Sequence, residues 1–317
     1  MDNLFEGEEY KYLFLDGAKK SLNDKFIIPP FSTFDTRQGY WQDRKNKWKG
    51  IGIKSELGRD DCLTFNCSIG GFDTYRVKEG IKENSTTMTT SIFDPVLCEI
   101  CYKWFNIENG KILDPFAGGS VRGIVANVLG YDYLGIDLSE KQIKANYENA
   151  NELYCDMDKL KWVNDDSLNI DKYVDNNSVD MIFTCPPYFD LEIYSEKPND
   201  LSNMSFDDFE IAYSKILKSC FSKLKNNRFG VVVIGDVRDK NGYYRNLVDI
   251  TKKAICDKNI GLYNDIILLQ VVGTASIRAE KQFKVNRKVV KVHQNILVFY
   301  KGNPKDIKNN FEEINGV

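Results

Sequence analysis

From residue 111 onward the chain alternates short apolar segments with amphipathic ones, and this alternation restricts the fold more than any other feature. The apolar segments have the length of strands, as in "KILDPF" (111–116) and "YDYLGIDLS" (131–139), and the stretches between most of them have helical periodicity. The other predicted strands lie at 160–166, 179–187, 228–237, 263–273 and 295–302. The pattern predicts an α/β fold with a mostly parallel seven-stranded sheet. A basic segment without a helical pattern joins the last two strands, which predicts that they form an antiparallel pair.

The chain of 317 residues is long enough for one large domain and an extension. We predict an irregular N-terminal extension at 1–85, an α/β domain at 86–303 and a C-terminal tail at 304–317. The beginning, "MDNLFEGEEYKYLFLDG", is acidic where a signal peptide would be basic, and no apolar run has the length of a membrane span. We therefore expect a cytoplasmic protein without a membrane partner. Eight cysteines and a single histidine suggest neither a disulfide framework nor a metal site.

Acidic residues follow three successive predicted strands. "LDPFAGGSVRG" places Asp114 and a Gly-Gly turn before a helix, and Asp137 comes 23 residues later in "GIDLS". The third strand ends in "NDDS", with Asp165 and Asp166. The Gly-Gly turn after the first strand lacks both the G-x-G-x-x-G pattern of dinucleotide sites and the Lys-Ser/Thr of phosphate loops. Acids at three neighbouring strand ends therefore predict a pocket for a nucleoside without phosphate, in which Asp137 would bind the ribose and Asp165 or Asp166 would meet the adenine edge.

The fourth strand ends in "TCPPY". Two prolines fix two φ angles and remove two backbone donors, so the strand cannot continue and the turn keeps accessible carbonyl groups. The structural alternative is a strand-ending turn with a packed tyrosine.

Two segments of the chain are basic although the net charge is −3. Residues 36–54 carry six basic side chains against one acid, with Tyr40, Trp41 and Trp48 interleaved, and residues 278–291 carry six against one. Such segments are candidates for binding a polyanion, and their alternative is a solvated surface. For 36–54 a further alternative is an aromatic mini-core with solvated lysines.

The motifs "DPFAGGS", "GIDLS", "NDDS" and "TCPPY" occur in an order and spacing that resemble S-adenosylmethionine-dependent methyltransferases, specifically the family that methylates exocyclic amino groups of DNA bases. The similarity covers about residues 88–302, and the whole chain also resembles DNA methylases of phage and mobile elements. The resemblance implies a Rossmann-like methyltransferase fold with an antiparallel last strand. It also implies transfer of a methyl group from S-adenosylmethionine to adenine N6 or cytosine N4.

The resemblance assigns site residues by position. Those implied to bind the cofactor are Asp114, Phe116, Ala117, Gly118, Gly119, Asp137, Leu138, Asp165 and Asp166, with Ser91 and Phe93 near its methionine part. Those implied to act on the target base, swung out of the duplex, are Cys185, Pro186, Pro187 and Tyr188. Cys185 departs from the Asp, Asn or Ser of the family, and a thiol is a weak acceptor. Its role is either reduced or passed to a neighbour such as Asp190 or Glu192; a nucleophilic cysteine is the less favoured reading.

The two basic segments are then expected to bind DNA. The candidate contacts are Arg37, Arg44, Lys45, Arg278, Lys281, Lys284, Arg287 and Lys288. Three alternatives stay open: RNA or a free base as the substrate, a nucleotide-dependent oxidoreductase, and a non-catalytic DNA-binding protein on a methyltransferase scaffold. Binding of S-adenosylmethionine, of NAD or of neither separates these classes.

Overall fold

A single twisted sheet organises the computed structural model, which describes residues 22–54, 93–189, 197–273, 275–312 and 314. Its strands are β1 (Thr33–Asp35), β2 (Lys111–Asp114), β3 (Asp132–Asp137), β4 (Leu160–Asn164), β5 (Val179–Thr184), β6 (Leu224–Ile234), β7 (Ile260–Leu269) and β8 (His293–Lys301). They lie side by side in the order β1-β7-β8-β6-β5-β2-β3-β4. Strand β8 is antiparallel to β6 and to β7, and every other pair in this sheet is parallel.

Helices connect the strands and cover the sheet. They are α1 (Leu22–Phe26), α2 (Gly39–Gly50), α3 (Pro95–Phe105), α4 (Val121–Val128), α5 (Glu140–Glu152), α6 (Phe206–Lys223), α7 (Leu247–Ile255), α8 (Ala275–Asn286) and α9 (Ile307–Asn310). Side-chain oxygens cap three of the long helices: Asp94 accepts from Val96 N, Ser139 from Gln142 N, and Ser205 from Asp208 N. These bonds satisfy backbone donors that a helix leaves without a partner.

The sheet agrees with the sequence-based expectation. The seven predicted strands are present, and the antiparallel last strand is confirmed. Strand order reverses between β2 and β5, because the chain runs from β2 through β3 to β4 before returning to β5. This is the sheet of the Rossmann-like methyltransferase fold. A ligand of such a sheet binds outside the carboxyl ends of the strands, at the point where the order reverses.

The core lies in two layers because strand side chains alternate between the two faces. Ile112, Met181 and Val231 point into one hydrophobic cluster, whereas Leu113 and Ile182 point into the other. Helices α2, α3 and α4 cover the first face, and α6 and α7 cover the second. A sheet buried on both faces needs almost continuously apolar strands, which explains runs such as "VVVI" in β6.

The N-terminal extension contributes an eighth strand to the sheet. Strand β1 pairs in parallel with the end of β7, and Thr36 Oγ1 donates to Leu269 O (2.8 Å). Trp41 and Trp48, both on α2, are buried in the first core cluster. The described part of the extension therefore contains regular elements that pack on the sheet. The domain boundary near residue 85 falls among residues outside the described ranges and stays a prediction.

A helix also lies where the sequence predicted none. Helix α8 occupies most of the connection between β7 and β8. Its residues are mainly good helix formers, and Lys284 pairs with Glu280 one turn earlier. Among the side chains described for this helix, the two large apolar ones, Phe283 and Val285, are exposed and form no buried apolar stripe. The periodicity criterion depends on such a stripe, so it missed this helix.

Candidate active site

A cavity of about 450 Å³ opens at the carboxyl edge of the sheet, within the size range of small-molecule sites. Its wall includes residues that follow β1, β2, β3, β4, β5 and β7, together with the beginning of β8. From the predicted site it includes Phe93, Phe116, Gly118, Gly119, Asp137, Leu138, Asp165, Asp166, Cys185, Pro186, Pro187 and Tyr188. The structure thus brings the predicted cofactor and target residues to one cavity. Ser91, Asp190 and Glu192 lie outside the described residues.

Asp114 lies beneath this cavity and not in its wall. Its carboxylate is fully buried and accepts four hydrogen bonds: from Arg122 Nε (2.6 Å), Tyr133 Oη (2.9 Å), Thr184 Oγ1 (2.6 Å) and Phe116 N (3.1 Å). These donors come from four separate places in the chain. Asp114 therefore ties together the ends of β2 and β5 and the loop that follows β2, and it shapes the cavity from below.

Arg122 completes this buried network and was not singled out from the sequence. Its guanidinium donates to Ala117 O (2.8 Å) and to Phe116 O, and it stacks on the Phe93 ring at 4.7 Å. Burial alone would lower the pKa of Arg122, but the neighbouring Asp114 carboxylate raises it, so the side chain stays charged. The loop at 116–119 is consequently held from its carbonyl side, with Ala117 itself buried.

Asp137, at the end of β3, lines the cavity. One carboxylate oxygen accepts from Gly118 N and the other from Ser139 N, both at 2.8 Å. Gly118 has φ +51, a conformation that glycine adopts without strain. Burial raises the pKa of Asp137, although the two backbone donors oppose the shift. Each carboxylate oxygen still has capacity for a second hydrogen bond, so Asp137 can accept from a ligand hydroxyl.

The two acids after β4 also line the cavity, but their surroundings differ. Asp165 accepts from Tyr173 Oη (2.6 Å) and from Asn169 Nδ2 (2.9 Å). These hydrogen bonds lower the pKa of Asp165 to about 2, and the bond from Tyr173 has the larger effect. Asp166 caps the following 3₁₀ helix through Leu168 N and accepts from Asn199 Nδ2 (2.8 Å). Both side chains are thus oriented by protein donors before any ligand arrives.

The Cys-Pro-Pro-Tyr turn lies across the switch point from Gly118. It begins directly after Thr184, which is bonded to Asp114. Tyr188 Oη accepts from Gln294 Nε2 (2.6 Å), and the φ of +59 at Phe189 redirects the chain after the turn. Gln294, at the beginning of β8, was missed from the sequence because no local motif marks it as a partner of Tyr188, 106 residues away. The Tyr188 ring is therefore held at the cavity by its hydroxyl.

Helix α2 is attached to α3 by the buried acid Glu99. Glu99 accepts from both Nε and Nη2 of Arg44 (2.6 Å each) and from Trp48 Nε1 (2.8 Å). Burial would raise the pKa of Glu99, but these hydrogen bonds lower it. Arg44 was predicted to bind DNA, which stays a prediction, and the structure places its partly exposed guanidinium in a bidentate ion pair with Glu99. Arg37 is exposed and pairs with Asp35.

Lys45 occupies an unexpected position for a predicted DNA contact. Its Nζ lies 2.8 Å from Asp94 Oδ2, and Trp41 Nε1 donates to the same oxygen (3.2 Å). Both Lys45 and Asp94 line the cavity, next to Phe93. The N-terminal extension therefore contributes the cation Lys45 to the site. Its Trp41 and Lys45 also hold the carboxylate of Asp94 in place. No sequence motif indicated this contact.

The second basic segment is more accessible. Arg278, Lys281 and Arg287 are exposed, whereas Lys284 pairs with Glu280. Lys288 is half-buried and lies against the loop that follows β6, where a Cβ atom at Gly242 would come within 3.1 Å of its Nζ. The role of these residues in DNA binding stays a prediction.

The described residues contain no cluster of His, Cys, Asp and Glu that could hold a metal ion. Cys98 and Cys101 in α3 do have Cys-x-x-Cys spacing, but both are fully buried, and burial raises the pKa of both thiols. A neutral thiol is a poor metal ligand. Among the helices that the structure describes, none is long and apolar enough to cross a membrane.

The strand order, the cavity at the switch point and the acids at the strand ends together define a Rossmann-like methyltransferase fold. No family model matches the chain, and no curated protein does. Solved structures that it resembles include TrmN from Thermus thermophilus, with 15% identity and a TM-score of 0.45 over 65% of this chain. The chain spans 48% of the length of TrmN.

Two further solved structures resemble the chain. An rRNA methylase from Streptococcus thermophilus shares 9% identity, with a TM-score of 0.42, over 68% of this chain and 100% of that one. The magnesium protoporphyrin IX methyltransferase from Synechocystis, solved with bound SAM, shares 11% identity with a TM-score of 0.42, over 73% of this chain and 92% of that one. These likenesses concern the fold.

Proposed function

We propose that the protein is an S-adenosylmethionine-dependent methyltransferase that acts on the exocyclic amino group of adenine or cytosine in DNA. One observation supports this most: the Cys-Pro-Pro-Tyr turn and the carboxylate of Asp137 line the same cavity. A cofactor held at Asp137 and a base held at Tyr188 would therefore meet inside it. A turn that only ended a strand would not need a tyrosine fixed by Gln294 at the wall of a ligand-sized cavity.

The residues present fit the proposed cofactor. Asp137 offers acceptors for the ribose hydroxyls, and Asp165 and Asp166 lie on the adjoining strand end, where an adenine edge would reach them. The Lys45–Asp94 pair offers one charge of each sign, which complements the carboxylate and ammonium of an amino acid. When bound, S-adenosylmethionine supplies a methyl group that its sulfonium already activates. No metal or strong base is required for that chemistry.

The turn after β5 would prepare the nitrogen of the target base. An exocyclic amino group is a weak nucleophile because its lone pair is delocalised into the ring. The carbonyl of Pro186 would accept a hydrogen bond from the amino group and favour a more tetrahedral nitrogen, while Tyr188 would stack on the base and fix its plane. Cys185 is half-buried in the wall of the cavity and would be at most a weak acceptor.

A nucleic acid is the proposed substrate because of the exposed cations near the last strands, and DNA is proposed within this class because the motifs resemble those of DNA amino-methyltransferases. Arg278, Lys281 and Arg287 belong to the connection that leads into β8, the strand that carries Gln294. Cations beside the cavity would bind backbone phosphates on either side of the extruded base. In the first basic segment Arg44 and Lys45 are paired with Glu99 and Asp94, so the proposal relies on them less than on the second segment.

The function is tested by expressing the chain in a host that lacks DNA methylation and sequencing the genomic DNA by a method that distinguishes N6-methyladenine from N4-methylcytosine. We expect one of these bases in a defined sequence context, and its absence when Tyr188→Ala is expressed instead. Unmodified DNA would contradict the proposal. Methylated RNA in the same cells would then assign the activity to RNA.

Two substitutions should separate the two ends of the cofactor. Asp137→Ala should weaken S-adenosylmethionine and 5′-methylthioadenosine alike, by about tenfold, because both ligands carry the ribose. Lys45→Met should weaken S-adenosylmethionine by about tenfold and leave 5′-methylthioadenosine unchanged, because that ligand lacks the amino-acid end. Isothermal titration calorimetry of each variant with each of the two ligands measures both effects. Lys47→Met, on an exposed position of α2, is the matched control. Equal losses for the two ligands in Lys45→Met would remove Lys45 from the amino-acid end.

A further inference from the structure

A short hairpin at residues 236–245 follows β6 at the edge of the cavity. Arg238 and Tyr244 form its β-bridge, and Asp239 N donates to Tyr243 O (2.8 Å). The turn contains Gly242 with φ +93, a conformation that suits glycine. Asp239 Oδ1 also accepts from Tyr243 N (2.8 Å). The hairpin is therefore a defined structure that presents its tip in a fixed orientation.

The base of the hairpin is attached to the proposed catalytic turn. A Cβ atom at Gly235, the last residue before the hairpin, would lie 3.7 Å from the Tyr188 ring. At the other end, the Arg245 guanidinium stacks on the rings of Phe189 (4.5 Å) and Phe206 (4.6 Å). Phe189 is the residue that follows Tyr188. The hairpin consequently stands beside the position where a target base would enter.

The tip exposes aromatic rings among cations. Tyr243 is 75% exposed, and Tyr244 is 38% exposed. The Arg238 guanidinium lies 3.9 Å from the centroid of the Tyr244 ring, and Lys288 lies against Gly242 from the neighbouring basic segment. The Tyr244 ring lies next to a guanidinium, and Tyr243, its neighbour in the chain, is the more exposed ring. Aromatic rings and cations in this arrangement are suited to contact both the base and the phosphate of a nucleotide.

The charge of this surface favours an anionic partner. Lys240 at the tip is exposed, and Lys291 Nζ lies 6.0 Å from the centroid of the Tyr244 ring. The two acids of the hairpin are directed inward: Asp239 accepts within the turn, and Asp236 accepts from the first turn of α7 (3.2 Å). The charges that face outward on this surface are therefore positive. The exposed ring of Tyr243 belongs to the same surface.

We propose that this hairpin docks DNA, with Tyr243 stacking on a nucleotide next to the extruded target base and Lys288 contacting a phosphate. The inference rests on the proposed function and adds to it the element that holds the flanking strand. Stacking on a base is tolerant of sequence, so the hairpin would contribute affinity and help to keep the target base extruded. Recognition of the sequence would belong to other residues.

The test uses the full chain and a fluorescein-labelled, mixed-sequence DNA duplex, with binding followed by fluorescence anisotropy over a potassium chloride series. Tyr243→Ala should weaken binding by about five- to tenfold, and Tyr243→Phe should bind like the unmodified chain because the ring is kept. Lys288→Gln should reduce the slope of log affinity against log salt by about one. An RNA duplex of the same sequence is measured in parallel.

Matched controls lie at the edge of the sheet where the strands begin, opposite the cavity. Tyr154, which follows α5, is 95% exposed, and Lys258 is exposed just before β7. Tyr154→Ala and Lys258→Gln should leave both affinity and salt slope unchanged. Thermal unfolding checks that each variant is folded.

The outcomes separate the hairpin from the function itself. If the unmodified chain binds DNA and Tyr243→Ala binds equally well, the hairpin proposal is overturned and the proposed function stands. If only the RNA duplex binds and Tyr243→Ala weakens it, the partner is RNA and the DNA proposal is wrong. If neither nucleic acid binds while S-adenosylmethionine does, both the hairpin and the nucleic-acid substrate are refuted.

Discussion

Replacing Tyr188 by alanine should lower methyl transfer by about 100-fold and change cofactor affinity by no more than a few fold. A poorly positioned reactant costs about 10²-fold in rate, which lies within the about 1–3 kcal/mol that stacking of a base on an aromatic ring contributes. The ring of Tyr188 is held by Gln294 Nε2 at 2.6 Å and belongs to the target side of the cavity. Single-turnover methylation of the identified DNA sequence measures the rate, and calorimetry measures cofactor binding.

Two control variants test whether the expected loss of rate belongs to the aromatic ring of Tyr188. Tyr188→Phe keeps the ring and removes only the hydroxyl that accepts from Gln294, so its rate should fall by no more than about tenfold, the value of one hydrogen bond. Tyr154→Ala removes an exposed ring at the opposite edge of the sheet and should have no effect. An unchanged rate in Tyr188→Ala would show that the ring does not position the base.

Replacing Asp114 by alanine should reduce the free energy of unfolding by about 3–5 kcal/mol, because it leaves the buried charge of Arg122 without its partner. The hydroxyls of Tyr133 and Thr184 lose an acceptor at the same time. Urea unfolding followed by circular dichroism measures the change. The matched control is Glu152→Ala, which breaks the exposed pair with Lys54 and should cost about 0–1 kcal/mol.

A second substitution of Asp114 tests whether this residue supports the fold or contacts the cofactor. The resemblance to methyltransferases implied that Asp114 binds the cofactor, whereas the structure engages its carboxylate with four protein donors. Asp114→Asn keeps the shape and part of the hydrogen bonding. If that variant retains its stability but loses cofactor affinity, Asp114 has a role in cofactor binding beyond its contribution to the stability of the fold.

The parts of the site that could be predicted from the sequence are those that depend on strand order. Parallel strands end at one edge, so Asp137, Asp165 and Cys185 were expected to meet there once three or four strands had been recognised. The double proline after β5 marked its end in the same way. Alternation of strands and helices likewise indicated strands β2 to β8, because burial on both faces leaves an almost continuous apolar run in most of them.

The contacts that could not be predicted are made by side chains far apart in the chain. Gln294 reaches Tyr188 across 106 residues, and Lys45 reaches Asp94 across 49. Neither pair has a local pattern, since each depends on how an element is placed against the completed sheet. Arg44 shows the same limit: its place in a basic segment suggested a DNA contact, which stays a prediction, whereas nothing local indicated its ion pair with Glu99, 55 residues away.

The pairing of β1 with β7 has a consequence for biosynthesis. Thr33–Asp35 pairs with Ile267–Leu269, and Thr36 bonds to Leu269 across 233 positions of the chain. A ribosome therefore releases the first segment long before its partner strand exists, and this segment must wait while the intervening strands are made. Contacts of such long separation form late and slow the completion of folding. Because Thr36 also lines the cavity, the site is complete only when β1 has paired with β7.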